Sequence, residues 1–402
     1  MEPKLRLKGY RGDWKSSKIG QIATFSKGCG YSKSDLCKNG NPIVLYGRMY
    51  TRYQSIIDDV DTFVAPKQNS VYSNGGEVII PGSGESPEDI SLAATIKNSG
   101  VILGGDLNIL RFDENINYPA FMAMAITYSP TRAQLSNYAQ GKTVVHLRNS
   151  EIAKGTICYP SVDEQKAIVE YVSSIDGLIS ASSSHLESLR KIKSASLQAM
   201  FPQEGETSPK VRFKGFSEEW KDVPFSNLYE RSMVKNDLSF GTDKIISVAN
   251  MYYLNSVRQA DENYLRSYNI MRLGDIAFEG NKSKHFAHGR LVENTIGDGI
   301  VSHVFVVMKP ISKSYDLNFW KYYINNEKIM GKKLVRCTKS STMMTDLVID
   351  DFLKESILVP SYEEQVKIGN LLSSIDNKIN LLSQRLERLK RIKSACLKNM
   401  FI

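Results

Sequence analysis

The sequence has few cysteines and lacks long apolar runs. No stretch reaches the ~18–20 apolar residues that a helix needs to cross a bilayer, and the first residues, MEPKLRLKGYRGDW, lack the apolar segment of a secretory signal. The cysteines are odd in number and form no CxxC pair, which favours reduced thiols in a cytoplasm over a disulfide framework or a zinc site. We therefore expect a cytoplasmic protein without a membrane span. The five cysteines are Cys29, Cys37, Cys158, Cys337 and Cys396.

Complete catalytic motifs are also missing. The GKT at 141–143 resembles the end of a phosphate-binding loop, but Ser136 stands where that motif requires glycine. The chain has no GxGxxG opening a βαβ unit and no aspartate- or asparagine-Pro-Pro-aromatic signature of an amino-methyltransferase. These absences predict a binding component rather than an enzyme, with no cofactor in this chain.

Metal-binding and nuclease patterns are weak as well. His285, His288 and His303 have no carboxylate or thiolate at a ligand spacing beside them, so we interpret them as loop histidines and expect no metal site. Glu164 and Lys166 could imitate the acidic-x-Lys end of a nuclease motif. The lysine becomes Val366 in the repeat described below, so helix capping explains the glutamate better.

Length and charge give broader limits. A chain of 402 residues exceeds one ordinary core and predicts two or three domains, and 42% hydrophobic residues are enough to build them. The net charge of +9 and the pI near 9.0 favour a polyanionic partner, of which nucleic acid is the commonest. Basic surfaces also occur without that role, so charge alone leaves the partner open.

A tandem repeat organises the chain. Residues 160–201 align with 360–401 without a gap, and 21 of the 42 positions are identical. Residues 3–15 also match 209–221 at 7 of 13 positions. The ends of each half therefore repeat whereas the middles, each about the size of one domain, do not. The polar segment PQEGETSPK at 202–210 suits a linker between the halves.

The middles are predicted to be mixed α and β. Short β-branched runs at 76–80, 100–105 and 299–308 alternate with turn residues and indicate strands. The stretches 118–128 and 316–325 favour helices.

The repeated segment is predicted to be one long helix in each half. Pro-Ser precedes it, Ser161 or Ser361 is placed to cap the first turn, and Glu164 or Glu364 completes a capping-box pattern. Apolar residues then follow a 4-3-4-3 spacing, which predicts that the two helices pack together as a coiled coil. The seam comprises Ile168, Val172, Ile175, Ile179, Leu186 and Leu189 in the first helix and Ile368, Leu372, Ile375, Ile379, Leu382, Leu386 and Leu389 in the second.

Together these segments resemble the specificity subunits of type I restriction–modification systems. The resemblance is carried by the paired P-S-x-(D/E)-E-Q-x-x-I starts, the SSID segments at 173–176 and 373–376, and the LExL(R/K)(R/K)IKSAxLxxMF ends. The PKxRxKGFxxxW leaders at 3–14 and 209–220 belong to the same pattern, although Tyr10 replaces phenylalanine in the first copy. These motifs cover about a quarter of the chain, but their order and spacing account for all of it.

The resemblance implies an α+β fold with a pseudo-twofold tandem repeat. Two mixed α/β target recognition domains, at 1–159 and 210–359, would be separated by two helices forming an antiparallel coiled coil, at 160–201 and 360–402, with a linker at 202–209. Each domain would read one half of a bipartite, asymmetric double-stranded DNA target. The repeated parts would dock two methyltransferase subunits carrying S-adenosylmethionine, joined for restriction by an endonuclease subunit that uses ATP and Mg.

Candidate DNA-binding residues follow from chemistry, because basic, aromatic and amide side chains on glycine-rich loops suit phosphate and base contacts. In the run 45–54, alternate residues would face one side if the segment is extended. The loops 136–142 and 280–290 and the stretch 332–341 supply the others. The candidates are Lys27, Tyr31, Lys33, Tyr46, Arg48, Tyr50, Arg52, Gln54, Asn137, Tyr138, Gln140, Lys142, Lys282, Lys284, His285, Arg290, Lys332, Lys333, Arg336 and Lys339.

Two alternatives remain open at this point. The chain could be a coiled-coil scaffold with two protein-binding heads and no DNA role, or a specificity subunit without partners. The basic residues near the helix ends, such as Arg190 and Lys390, could touch DNA phosphates, but solvent or a partner subunit suits a charged helix face better.

Overall fold

The computed structural model describes residues 1–203, 205–254, 261–340 and 344–402. These residues form two compact units, which we call the first unit (residues 1–183 and 385–402) and the second unit (residues 184–384). None of the helices in these described ranges is both long enough and apolar enough to cross a membrane. All five cysteines are described, and none of them forms a disulfide.

The first unit is built on a five-stranded sheet in the order β2-β11-β7-β9-β5 and a four-stranded sheet in the order β10-β4-β6-β3. Its helices α1–α6 span Ile19–Ile22, Arg48–Thr51, Pro87–Ile90, Pro119–Tyr128, Pro130–Tyr138 and Asn149–Ile152. Strands β1–β13 span Lys15–Lys18, Ala23–Lys27, Leu36–Cys37, Asn41–Val44, Ile56–Ile57, Phe63–Val64, Val78–Pro81, Ser83–Gly84, Ala94–Ile96, Ile102–Leu103, Leu107–Phe112, Val145–His146 and Thr156–Tyr159.

The larger sheet of the first unit is buried on both faces. Val78 pairs with Leu110 on the face that packs against α4, whereas Ile79 pairs with Ile109 on the opposite face. Side chains alternate along a strand, so the continuous apolar run of β7 supplies two separate cores. The helix predicted at 118–128 is confirmed as α4, an apolar helix that is buried throughout except at its last residue.

The second unit contains a four-stranded sheet in the order β15-β22-β19-β20. The helix predicted at 316–325 is confirmed as α9. The run 299–308, predicted to be a strand, forms two strands separated by a turn in which Phe305 N donates to Ser302 O. Strands β14–β25 span Lys221–Pro224, Tyr229–Ser232, Ile246–Ser247, Tyr252–Tyr253, Asn269–Met271, Ile276–Glu279, Arg290–Glu293, Gly299–Val301, Val306–Pro310, Thr338–Ser340, Thr345–Leu347 and Ser356–Val359, and helices α8–α11 span Glu262–Arg266, Leu317–Tyr323, Glu327–Cys337 and Ile349–Lys354.

The two repeated segments form the predicted long helices, α7 (Val162–Ala199) and α12 (Tyr362–Asn399). In each unit the first part of one helix lies antiparallel to the last turns of the other. In the first unit, for example, Tyr171 contacts Cys396 and Asp176 contacts Lys393. The predicted seam is buried at Ile168, Val172, Ile175, Leu186, Leu189, Ile368, Leu372, Ile375 and Leu386 and half-buried at Ile179, Ile379, Leu382 and Leu389.

The predicted capping boxes are wrong for Glu164 and Glu364, whose carboxylates bind the leader segments and not the start of their own helix. The Glu164 carboxylate accepts two hydrogen bonds of 2.8 Å from the Arg6 guanidinium of the leader. Ser361 does accept a hydrogen bond from the Glu364 amide at 3.3 Å, but the Glu364 carboxylate binds the leader in the same way as Glu164. A charge-assisted pair with arginine is stronger than a bond to a neutral backbone amide, so the leader captures the carboxylate.

Candidate nucleic-acid interface

The run 45–54 is not extended. Arg48–Thr51 forms a helical turn, α2, in which Met49 N donates to Tyr46 O and Thr51 N donates to Gly47 O. Adjacent residues Arg48 and Met49 are both buried, which a strand exposed on one face cannot achieve. The predicted alternation of residues 46 to 54 onto one side is therefore wrong.

Arg48 supports the fold from inside. Its guanidinium donates to Asp61 at 2.6 Å, to Gln54 Oε1 at 2.9 Å and to the carbonyl of Asp59 at 2.8 Å. The hydrogen bond from Arg48 lowers the pKa of the Asp61 carboxyl and keeps it charged. Arg52 binds the other oxygen of Asp61 but stays half exposed. Both terminal nitrogens of the Arg48 guanidinium and the side-chain oxygen of Gln54 are therefore engaged internally, while Arg52 reaches the surface.

Two predicted segments of the first unit meet at β8. The Tyr50 hydroxyl donates to Ser83 O at 2.5 Å, and β8 pairs with β12, whose His146 exchanges backbone hydrogen bonds with Gln140. Gly84 makes this approach feasible, because a Cβ there would lie 2.9 Å from the Tyr50 hydroxyl and 2.2 Å from Ile90. Segments 45–54 and 136–142 therefore lie close together at the buried strand β8.

The segment 136–142 is only partly a loop. Asn137 and Tyr138 belong to the last turn of α5, whereas Gln140 and Lys142 lie exposed on the loop that follows. Gly141 adopts a φ of 132°, and a side chain there would strike Val144 O, so the sharp bend requires glycine.

The remaining candidates of the first unit divide into two exposed lysines and one buried tyrosine. Tyr31 accepts a hydrogen bond from Lys67 N at 2.7 Å, and the Lys67 ammonium lies 4.6 Å from its ring centre. Since Tyr31 is also buried, its contacts stabilise the backbone near Lys67. Lys27, at the end of β2, and Lys33, in a short 3₁₀ turn, are exposed.

Two predicted segments also meet in the second unit. The hairpin 280–289 connects β19 to β20, and Thr345 N donates to Gly280 O at 2.8 Å. This contact places the hairpin beside the β23–β24 pair, in which Lys339 lies opposite Asp346. Four of the predicted candidates are exposed on these elements, namely Lys282, Lys284, His285 and Lys339. Ser341, at the end of the predicted stretch 332–341, lies outside the described residues.

Arg290 braces the base of this hairpin. Its guanidinium donates to Glu279 at 2.6 Å and to Ala249 O at 2.7 Å, and it lies 4.9 Å from the Phe286 ring centre. These contacts engage the polar face that a guanine contact would need, so the geometry supports a structural role.

The α10 candidates line a different surface. Lys332, Lys333 and Arg336 border a cleft of about 240 Å³ together with Asp222 and residues that follow α7. Arg336 is held by Glu355 at 2.7 Å, and burial lowers the pKa of Lys333. The structure does not group these three side chains with the hairpin surface that carries Lys339.

No group of three or more potential metal ligands occurs in the described ranges. A family model described as "Type I restriction modification DNA specificity domain" matches residues 11–189 and again residues 219–391. The chain belongs to this family.

Individual relatives are distant in sequence but similar in fold. The specificity subunit of the type I restriction enzyme MjaVIII from Methanocaldococcus jannaschii is 22% identical over 283 residues, and the match covers 64% of this chain and 64% of the relative. The crystal structure of the type I S subunit from M. genitalium superimposes with a TM-score of 0.59 at 14% identity, covering 100% and 99% of the two chains. The HsdS subunit from Thermoanaerobacter tengcongensis gives 0.50 at 16% identity, covering 98% of each. The predicted fold class and family resemblance are confirmed.

In this member of the specificity-domain family, the elements that join the candidate segments were not predictable from the sequence. Gly280 in the second unit occupies a position like that of Gly84, since a Cβ there would lie 2.1 Å from Thr345 O. In both units, the residues that follow an inner strand of the sheet pair with a segment that follows a helix. Gly84 pairs with Val145 in the first unit, and Asn281 pairs with Met344 in the second. The only signal in the sequence is a glycine after a buried strand, which predicts a close backbone approach but not its partner.

Proposed function

We propose that this protein is the cytoplasmic DNA-reading subunit of a type I restriction–modification complex, in which each non-repeated middle binds one half of a bipartite, asymmetric target. One observation carries the proposal furthest. The exposed candidate side chains, including Gln140 and Lys142 in the first unit and Lys284 and Lys339 in the second, lie outside the repeated segments. Different half-sites require different readers, so the non-repeated surfaces suit base recognition.

The proposed interface has separate groups for position and for sequence. Lys27, Lys142, Lys284 and Lys339 are suited to phosphate contacts, which fix the register of a protein on the duplex. The amide of Gln140 can pair with adenine and the guanidinium of Arg52 with guanine in the major groove. Arg48 and Arg290 position these surfaces instead of touching DNA.

The repeated helices and leaders are proposed to hold the partners. Two modification subunits would dock on the corresponding surfaces of the two repeats and supply S-adenosylmethionine for base methylation, and restriction subunits would supply ATP- and Mg-dependent cleavage. This chain contributes recognition of the DNA sequence and the docking sites for the partner subunits.

The proposal is tested by duplex DNA binding in the presence of the modification subunit. A protein that neutralises six or more phosphates loses roughly 10³-fold or more in affinity between about 50 and about 200 mM salt, because bound counterions are released. We expect such a loss together with preference for one bipartite sequence. An affinity that does not change with salt would contradict the proposal.

A further inference from the structure

Each unit contains a basic groove beside its long helices. The groove of the first unit measures about 580 Å³ and is lined by α7, the last turns of α12 and the junction of α4 with α5. Its basic residues are Arg132, Lys390, Lys393 and Lys398, and its single carboxylate is Asp176. Lys393 is held by Asp176 at 2.6 Å, whereas Lys398 makes neither a hydrogen bond nor an ion pair within the described chain.

The groove of the second unit is about 570 Å³ and repeats this arrangement. Asp376, its single carboxylate, accepts from Lys193 at 2.6 Å and from the Tyr322 hydroxyl at 2.6 Å. Arg190 has no hydrogen bond or ion pair to any described residue, and the Lys321 ammonium lies 5.2 Å from the Tyr322 ring centre. The acid of each groove is therefore already neutralised, and excess positive charge remains at its rim.

The two grooves share their floor because four lining positions correspond at an offset of 200 residues. The shared positions supply one apolar side chain of the floor, a neutralised ion pair and one further cation at the rim. A groove that is repeated while the recognition surfaces differ suits an occupant that is bound twice. The corresponding pairs are Asp176 and Asp376, Ile179 and Ile379, Arg190 and Lys390, and Lys193 and Lys393.

The lining favours a peptide over a DNA strand. Ile179 and Leu397 lie in the first groove beside Tyr128, so an occupant with apolar atoms gains from burying them. A phosphate backbone uses the cations but leaves this apolar floor without a partner. A peptide can satisfy both parts of the lining, because its acidic side chains pair with the cations and its apolar side chains cover the floor.

We propose that each groove binds an acidic segment of the modification subunit, so that two copies dock through the same contact. The inference rests on the proposed function, since it names the chemistry by which that complex assembles. Arg190 and Lys390 are the residues that test it, because they are corresponding rim cations on α7 and α12. Lys390 differs from Arg190 in that it also pairs with the exposed Glu387 at 2.9 Å.

The test uses the full chain with the purified modification subunit of the same system. Arg190→Glu and Lys390→Glu are made singly and together, and the number of bound modification subunits and their Kd are measured by analytical ultracentrifugation. Each single reversal is expected to weaken one of the two docking events at least tenfold and the double variant to weaken both. Arg190→Lys is expected to retain binding.

Matched controls are Lys191→Glu and Arg391→Glu, which place the same charge change one residue further along each helix. Both positions are exposed and neither lines a groove, so these variants are expected to bind as the wild type does. Circular dichroism checks that every variant keeps its helices. Equal weakening by the control and groove variants would overturn the assignment.

The remaining outcomes separate this inference from the proposed function. Unchanged docking in the double variant would overturn the inference, as would loss of DNA binding with both modification subunits still bound, which would assign the grooves to phosphates. A wild-type chain that binds DNA but no modification subunit would overturn it too. A wild-type chain that binds two modification subunits but no DNA would instead contradict the proposed function.

Discussion

Arg212 and Glu364, 152 residues apart in the sequence, form a two-pronged ion pair with hydrogen bonds of 2.9 and 2.8 Å. Glu364 is buried, and Trp220 Nε1 donates a further hydrogen bond to it at 3.1 Å. Val211 N also donates to Ala199 O at 3.0 Å. Within the second unit, the leader thus joins the beginning of α12 to the end of α7.

Removal of the arginine should destabilise the second unit. Arg212→Ala leaves the buried Glu364 carboxylate without its counter-charge, which costs roughly 3 kcal/mol in the free energy of unfolding. Tryptophan fluorescence during urea unfolding measures it, because Trp220 touches the site. Lys214→Ala changes an exposed leader residue and should leave the unfolding free energy as in wild type, so equal losses in both variants would refute the role of Arg212.

The ion pairs of Lys193 and Lys393 are predicted to differ in strength between the units. In the second unit, Asp376 is 21% exposed where it meets Lys193, whereas in the first unit Asp176 is 46% exposed where it meets Lys393. Solvent weakens ion pairs, so double-mutant cycles should give a coupling of about 1 kcal/mol for the second-unit pair and about 0.3 kcal/mol for the first. Equal couplings would contradict the role assigned to burial.

Stability of the second unit should fall as pH rises from about 4.5 towards neutrality. Burial raises the pKa of Asp275 to about 6 and raises the pKa of Glu293 well above its usual value. Glu293 Oε1 accepts from the Tyr315 hydroxyl, but Oε2 has no hydrogen-bond partner within the described chain. The folded state binds these protons more tightly than the unfolded state, so their stabilising contribution is complete below the unfolded pKa and is lost as pH rises through the folded pKa.

Glu293→Gln removes one of these titrations and should flatten the pH dependence, with a higher unfolding free energy than wild type at pH 7. Urea unfolding at several pH values measures it. The control is Glu218→Gln, at an exposed position, which should keep the wild-type slope. If Glu293→Gln also keeps that slope, the buried carboxyl does not carry the effect.

The hairpin of the second unit predicts two distinct phenotypes. Lys284→Ala should weaken binding about equally for all DNA sequences and reduce the slope of log K against log salt by about 0.9, as expected for one lost phosphate contact. Arg290→Ala should instead lower the unfolding free energy, because it leaves Glu279 unpaired. Lys313→Ala, an exposed lysine outside the predicted segments, is the control and should preserve both quantities. A salt slope that Lys284→Ala leaves unchanged would place the hairpin away from DNA.

The long helices were predictable because their signals are local. Pro-Ser before Val162 and Tyr362, and apolar residues at 4-3 spacing, report helix starts and one buried face without any knowledge of the fold. The antiparallel pairing also followed from the resemblance. The leader contact was not predictable, since Glu164 suits a capping box equally well and Arg6 lies far away in the sequence.

The site was less predictable because partners distant in sequence decide what a charged side chain does. Arginine is a residue type that commonly reads bases, but the guanidinium of Arg48 is engaged by Asp61 in the interior. Arg290 is engaged in the same way by Glu279 on the neighbouring strand. Lys142 and Lys284 remain candidates because they stay exposed, and exposure depends on the whole domain.

Mapping methylated bases across a genome, after coexpression with the modification subunit, tests directly whether each non-repeated middle reads one half of a bipartite target. The wild-type chain and a chimaera, in which residues 16–150 come from another family member, are compared. We expect a bipartite motif for both chains. Relative to the wild-type motif, that of the chimaera should have one half changed, with the other half and the gap retained. A continuous motif, or alteration of both halves in the chimaera, would contradict this expectation.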